Sequence, residues 1–379
     1  MNTLALARYS HRLYSTMSQP ISSPFTRAVV SSMRKLYPES LAEKSWDNTG
    51  LLLEAPFNHT RRQKNSVLLA IDLTTAVADE AIARRDSIVV AYHPIIFRGL
   101  KSLTFNDPQQ STLLRLATEG ISVYSPHTAI DATPGGMADW LCDIVTGAIA
   151  PTSASKPSIQ KSSSAHYSHL TFPHPQPATP ATPVPHVRNT IIPSPPPVPE
   201  GMESAGMGRI VTFDEPQPLT AIVDRIAQGV GYPGGIPIAI PQTATVEDLK
   251  IRTVGVCPGS GSSVLLKGTG GKIPDVLFTG ELSHHEALAA VERGSVVIAL
   301  AHTNTERGYL RAVMREKLAR AVQTEWEAQR AEGLKDSSSS SSSSSAADSD
   351  LKQAFDDAEC IVDVSERDRD PYGIMIRQV

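Results

Sequence analysis

Apolar strands alternate with amphipathic helices over two stretches separated by a proline-rich break, which predicts an α/β fold built in two halves. Three observations carry this. The run Ser87-Ile-Val-Val-Ala-Tyr92 is continuously apolar with a β-branched core, as in a strand buried on both faces. Val29, Val30, Met33 and Leu36 trace a helical stripe that ends at Pro38. Strand follows helix in both halves, implying βαβ units and a largely parallel sheet.

In the first half, segments 51–54 and 66–72 read as strands, followed by a helix through Val77, Ala81 and Ile82 and the strand 87–92. A helix at 111–119, a strand at 121–124 and a helix at 136–145 complete it. The second half opens with a strand at 208–213 and a helix at 219–230. Strands follow at 236–240, 253–257 and 276–279, then a helix at 284–293 and a strand at 295–300. A long amphipathic helix from Glu306 to about 331 and a closing strand within 359–364 end the pattern.

The chain therefore divides into a leader (1–24), a first α/β lobe (25–150), an insertion (151–205), a second α/β lobe (206–332), a serine-rich linker (333–350) and a C-terminal strand segment (351–379). The insertion is rich in Pro, Ser and Thr and cannot bury enough apolar surface to offset its ordering entropy. It reads as disordered and dispensable to stability. The leader holds Arg8 and Arg12 among many Ser and Thr, and no acid precedes Glu39. That is the composition of a mitochondrial targeting segment. A cytoplasmic or nuclear scaffold would not need it.

Net charge is −4 and no basic face stands out, so composition offers nothing for a nucleic acid or an anionic membrane. No apolar run approaches the roughly 20 residues that span a bilayer. Cys142, Cys257 and Cys360 are far apart and form no CxxC pair, which argues against a disulfide framework and a thiolate zinc site.

Four motifs place metal-competent side chains directly after an apolar strand, where α/β proteins build sites. They are Ala91-Tyr-His-Pro-Ile-Ile-Phe97, Ser125-Pro-His-Thr-Ala-Ile-Asp131, Thr279-Gly-Glu-Leu-Ser-His-His-Glu286 and Ala301-His-Thr-Asn-Thr-Glu-Arg307. His302 and Glu306 stand four apart at a helix mouth, a spacing that puts both on one face. With His93 and Asp131 as the opposite wall, imidazole and carboxylate suit Zn, Mn, Fe or Co. A carboxylate can bridge two such ions. His127 is a ligand or an outer residue orienting Asp131. Asp72 is an outer residue or a helix cap, and Glu281 and His285 are placed for substrate contact or outer support. Gly255-Val-Cys-Pro-Gly-Ser-Gly-Ser262 is a glycine-rich turn whose amides can cradle an anion, although it lacks the lysine of a P-loop.

Tyr92-His-Pro, His127-Thr-Ala-Ile-Asp131, Gly280-Glu-Leu-Ser-His-His285 and His302-Thr-Asn-Thr-Glu-Arg-Gly308 resemble the NGG-one-interacting factor three family, also called GTP cyclohydrolase I type 2-like. Trp46-Asp-Asn-Thr-Gly50 and Val364-Ser-Glu-Arg-Asp-Arg-Asp-Pro371 extend the resemblance over roughly 25–150 and 206–376. It implies a two-lobed α/β protein with mixed sheets flanked by helices and a dinuclear metal site in the cleft between lobes, assembled as a homo-oligomer, commonly a hexamer. The positions matching the family's ligands are His93, Asp131, His302 and Glu306. Bacterial members usually carry a second His before the first ligand. Tyr92 stands there in this chain, and a phenol of pKa about 10 ligates less readily at neutral pH. One of the two ions is then expected to bind weakly.

Two functions follow as expectations. The first is a metal-dependent hydrolase of a nucleotide or other phosphate-containing substrate, with Glu306 and Asp131 as its catalytic carboxylates. The family label suggests GTP, but nothing in these residues identifies a purine pocket. The second is a metal-binding interaction or regulatory protein linked to transcription, with the proline-rich insertion as a recognition segment.

Overall fold

The computed structural model describes residues 21–57, 62–151, 167–172, 178–231, 235–339 and 352–377. The basic leader before residue 21 and most of the serine run lie outside them. The first half begins with α1 (Pro24–Leu36), whose buried face carries Phe25, Val29 and Met33. There follow β1 (Gly50–Leu53), β2 (Ser66–Ala70), α2 (Thr75–Arg84), β3 (Ile88–Ala91), α3 (Pro108–Glu119) and β4 (Ser122–Ser125). The short α4 (Thr128–Ala132) and α5 (Met137–Thr146) close this half. Local chemistry fixes the helix starts: the Thr74 side chain accepts from Val77 N, and Asp107 accepts from Gln110 N just ahead of Pro108.

Three small strands come next: β5 (Ile149–Pro151), β6 (Tyr167–Thr171) and β7 (Ala178–Pro180). The second half contains β8 (His186–Pro193), β9 (Gly206–Pro218), α6 (Leu219–Val230), β10 (Ile238–Ala239), β11 (Lys250–Ser260), β12 (Val276–Glu281), α7 (His284–Val291) and β13 (Val296–Ala299). A helical run of α8 (Arg307–Tyr309), a wider π turn (Leu310–Met314) and α9 (Arg315–Ser339) leads to β14 (Ile361–Val364) and β15 (Ile374–Arg377).

The first sheet has the order β1-β4-β3-β2-β14, with β14, β2, β3 and β4 parallel and β1 antiparallel at the edge. The second has the order β10-β13-β12-β11-β9-β8, in which only β11, β12 and β13 run parallel. Both sheets are therefore mixed. β2 and β3 are buried along their whole length, as their continuous apolar runs require.

The two halves share one core. Val67, Leu69, Ile88 and Val90 of the first sheet join Val254, Val256, Val276 and Ile298 of the second in a single apolar cluster. Helices α1, α5, α6 and α9 fill the space between the sheets, with the Phe25 ring edge-on to Trp326 at 5.6 Å. α2 and α3 cover the outer face of the first sheet through Val77, Ala81, Leu113 and Leu116. Ala290 of α7, with Val264 and Leu265, covers the outer face of the second. The layers run helix, sheet, helix, sheet, helix.

The interval 151–205, expected without structure, is ordered in its last part. β8 pairs antiparallel with β9 from His186↔Phe213 to Pro193↔Gly206, and Arg188 forms ion pairs with Asp139 and Asp143 of α5. An edge strand needs hydrogen bonds on one side only and tolerates proline and polar residues, so composition concealed it. Residues 333–339, expected as linker, continue α9. β14 pairs parallel with β2, which makes the tail the edge strand of the first sheet.

Candidate metal centre

The parallel strands of both sheets bring their C-terminal ends to one place. Asp72 follows β2, Tyr92 and His93 follow β3, and His127 follows β4. From the second sheet come Gly259 in β11, Glu281 ending β12, and His302 just after β13. His302 lies in a 3₁₀ turn (His302–Thr305) that hands directly to Glu306, so the four-residue spacing is kept by a tighter turn than an α-helix. Ala301 before it has φ 71° and ψ 154°, a strained conformation that surrounding contacts must hold.

His93, His302 and Glu306 offer ligand atoms that all lie within 4.8 Å of one another. His93 Nε2 is 3.5 Å from Glu306 Oε2, and His302 Nε2 is 3.5 Å from Glu306 Oε1. Each imidazole is pinned from behind. His93 Nδ1 meets Asp72 Oδ1 at 2.9 Å and His302 Nδ1 meets Glu281 Oε1 at 2.9 Å. An ionised carboxylate only accepts, so each Nδ1 carries a proton, and in the neutral ring each Nε2 presents a bare lone pair. This is the arrangement in which a carboxylate orients a metal-binding histidine.

Electrostatics agree with the geometry. Burial pushes the Asp72 carboxyl up, but the hydrogen bond from His93, with the Arg307 charge, outweighs it and holds the group below its ordinary range. Burial pulls the His93 imidazole down, which keeps it neutral. Glu306 is pushed well above the carboxylate range by burial and then by Asp131. Its Oε2 has no hydrogen-bond partner. Two bare imidazole nitrogens thus face a buried carboxylate, acceptor against acceptor, and only a proton or a cation between them relieves that. The donor set fits a divalent ion of the Zn, Fe, Mn or Co type.

Two glycines make the approach of the chains possible. Gly259 has φ +58°, and a Cβ there would fall 2.7 Å from Glu306 Oε1 and 2.9 Å from His302 Nε2. A Cβ at Gly280 would fall 2.7 Å from the carbonyl oxygens of Gly259 and His302. The glycine-rich turn thus lets backbone reach the candidate ligands.

Asp131 stands apart from this trio. Its oxygens both lie 2.9 Å from the phenolic oxygen of Tyr92, which donates to them. Burial raises the Asp131 carboxyl to about 6 and drives the Tyr92 phenol well above its ordinary value. His127 is held like the other two histidines, with Nδ1 2.6 Å from Asp47 Oδ1, and its ring is 5.4 Å from that of His93. Asp47 also accepts from Thr128 N at 3.2 Å. His285 sits exposed on α7 beside His284, and none of its described contacts reaches the other site residues.

Several residues here carried no sequence signal of their role. Asp47 lies in the Trp46–Gly50 motif, but its partner is 80 positions away. Asp368 accepts from Ile71 N at 2.6 Å and Asp72 N at 3.3 Å and pairs with Arg307. Asp370 accepts from Thr303 N at 3.2 Å. The tail thereby clamps the end of β2 to the turn that carries His302.

A model of the Duf34/NIF3 family (NGG1p interacting factor 3) matches residues 26–332. The chain belongs to that family. The Schizosaccharomyces pombe NIF3 homolog is 42% identical over 308 residues, covering 80% of this chain and 91% of that one. The Saccharomyces cerevisiae NGG1-interacting factor 3 is 34% identical over 304 residues, covering 79% and 92%. Among solved structures, the Bacillus cereus protein related to NIF3 aligns with a TM-score of 0.58 at 18% identity, covering 94% of this chain and 99% of that one. Reduced HcgD from Methanocaldococcus jannaschii aligns at 0.51 and 18%, covering 80% and 96%. These likenesses establish the mixed α/β fold with two helix-flanked sheets.

Proposed function

We propose that this protein binds one divalent cation tightly in the cleft between the sheets and uses it to hydrolyse a phosphate-bearing substrate. The ligands are His93 Nε2, His302 Nε2 and the Glu306 carboxylate. The observation that carries the reading is the pair of carboxylate-pinned imidazoles facing a buried, partnerless Glu306 oxygen. A second, looser position lies at Asp131 and His127, where the Tyr92 phenol already occupies the Asp131 oxygens.

A bound divalent ion would supply Lewis-acid polarisation of the substrate and of the attacking water. The chain's own part is to orient and to move protons. Asp72 and Glu281 hold the two imidazoles in one tautomer. Asp131, raised to about 6, can take up and return a proton near neutral pH.

A non-catalytic reading is favoured by a different observation. Trp46 and Phe97 are large apolar side chains left exposed against the His127 side of the site. Such a patch suits a protein partner or further copies of this chain, and the yeast relative is named for an interaction. Among the described residues no helix is long and apolar enough to cross a membrane.

The test is His302→Ala. Bound divalent metal, by elemental analysis of the purified protein, should fall sharply while the melting curve is retained. Unchanged stoichiometry would sink the site. A hydrolysis screen over nucleotides and phosphoesters, run beside the variant, separates the two readings.

A further inference from the structure

Against His93 and Asp72 lies a cavity of about 710 Å³, a size suited to a small ligand. One wall is the turn into α2 at Thr74–Ala76, and the other is the tail segment bearing Arg367 and Arg369. We infer that this cavity is a phosphate subsite in which the Arg367 and Arg369 guanidinium groups hold a dianionic phosphate of the substrate. Its place in a reaction rests on the metal-centre reading above. Its ability to bind phosphate does not.

The tail's sequence sets up the charge. Ser365 N bonds Leu69 O at 2.8 Å, and from there the side chains alternate. Asp368 and Asp370 turn inward, with side-chain exposure of 1% for Asp368 and burial of Asp370 in the core. Arg367 and Arg369 turn outward to the cavity. The carboxylates of Asp72, Glu80, Asp368 and Asp370 are engaged elsewhere. Asp368 is bonded to Ile71 N, Asp72 N and Arg307. Asp370 accepts from Thr303 N and Tyr372 N. Asp72 meets His93 through Oδ1 and faces Arg307 at 3.6 Å through Oδ2. Glu80 accepts from the backbone N–H groups of Glu366 and Arg367, not from a guanidinium.

Among the described residues, neither Arg367 nor Arg369 has a carboxylate partner. Arg369 instead lies over the Phe172 ring, 5.0 Å from its centroid, a contact that orients the guanidinium without cancelling its charge. Thr75 and Ala76 line the same space, and they stand in the first turn of α2, whose amides have no intrahelical acceptor. Two planar guanidinium groups lining one cavity beside a candidate metal centre match a tetrahedral dianion better than a single carboxylate.

The test is titration of the full chain, as purified and after chelation, with inorganic phosphate and with acetate, followed by calorimetry. Arg367→Gln and Arg369→Gln are both exposed changes, and Lys272→Gln, near the opposite end of β12, is the control. Each arginine change should weaken phosphate about tenfold, and the pair about a hundredfold, with bound metal and melting temperature unchanged. The control should bind as the parent does. Arginine-dependent phosphate binding that persists in protein found to hold no metal would retain the subsite and remove the metal reading. Phosphate binding that ignores both arginines, acetate binding as tight as phosphate, or no phosphate binding at all would overturn the subsite whatever the metal content.

Discussion

The phenolic oxygen of Tyr92 lies 2.9 Å from both carboxylate oxygens of Asp131, so the residue expected as a ligand is engaged by the tyrosine directly before His93. Tyr92 is buried and its phenol is pushed well above its ordinary range, first by burial and then by Asp131. It therefore remains a donor at neutral pH and satisfies Asp131 without a cation.

Tyr92→His should release Asp131 and add an imidazole beside it. We expect bound divalent metal to rise from about one to about two per chain, on the two-ion logic of hydrolytic centres. Elemental analysis after equilibration with excess Zn²⁺ and buffer exchange reads this directly. A parent protein already carrying two tight ions would refute the idea that Tyr92 limits the site.

Much of this was legible in the sequence, for a physical reason. Parallel strands buried on both faces announce themselves as apolar runs, and the polar residue that follows each run sits at the sheet's C-terminal edge. His93, His302 and Glu306 are found that way. What pins them was not legible. His93 meets Asp72 over 21 positions, His127 meets Asp47 over 80, and Asp368 reaches Ile71 over 297. Such pairs are made by the strand order of the first sheet, where β2 lies between β3 and β14 and β4 lies beside β1, and no local spacing encodes them. β8 stayed hidden because an edge strand need not be apolar on both faces.

Asp139 binds the halves together and predicts a pH dependence. It pairs with Arg209, which is 3% exposed, at 3.1 Å and with Arg188 at 3.1 Å. Burial pushes its carboxyl up, but the two guanidinium groups and the Gly135 amide outweigh this and hold it below its ordinary range. A depressed folded-state pKa contributes stability above the unfolded pKa, lost as pH falls through the folded one. Asp139→Asn should therefore cost about 3 kcal/mol at neutral pH by leaving Arg209 buried without its partner. The gap to the parent should narrow below roughly pH 4. Melting curves from pH 7 to pH 3 check it, and a gap that widens in acid would contradict the assignment.

Removing residues 151–205 should be costly rather than neutral. The excision takes away β8, its full pairing with β9, and the Arg188 ion pairs to α5. It also leaves β9 as a new edge, with residues such as Val211 and Phe213 on its buried face. A melting temperature lowered by several degrees or more is expected. A melting temperature equal to the parent's would mean that β8 adds nothing to the sheet.

Gly259→Ala tests the site at its tightest point. The new methyl group would fall 2.7 Å from Glu306 Oε1 and 2.9 Å from His302 Nε2, and the φ of +58° adds a backbone penalty of about 1–2 kcal/mol. Neither ligand side chain can retreat freely. Glu306 is 1% exposed, and His302 is tied to Glu281 at 2.9 Å. Strain alone is isolated by Gly270→Ala, where φ is +62° and nothing lies within 4 Å of the added carbon. Both variants should lose comparable stability from the backbone, whereas only Gly259→Ala should lose divalent metal, by at least about tenfold in affinity. Competition with a chromophoric chelator measures this. Equal retention of metal by the two variants would show that the ion, if bound, lies elsewhere than between His302 and Glu306.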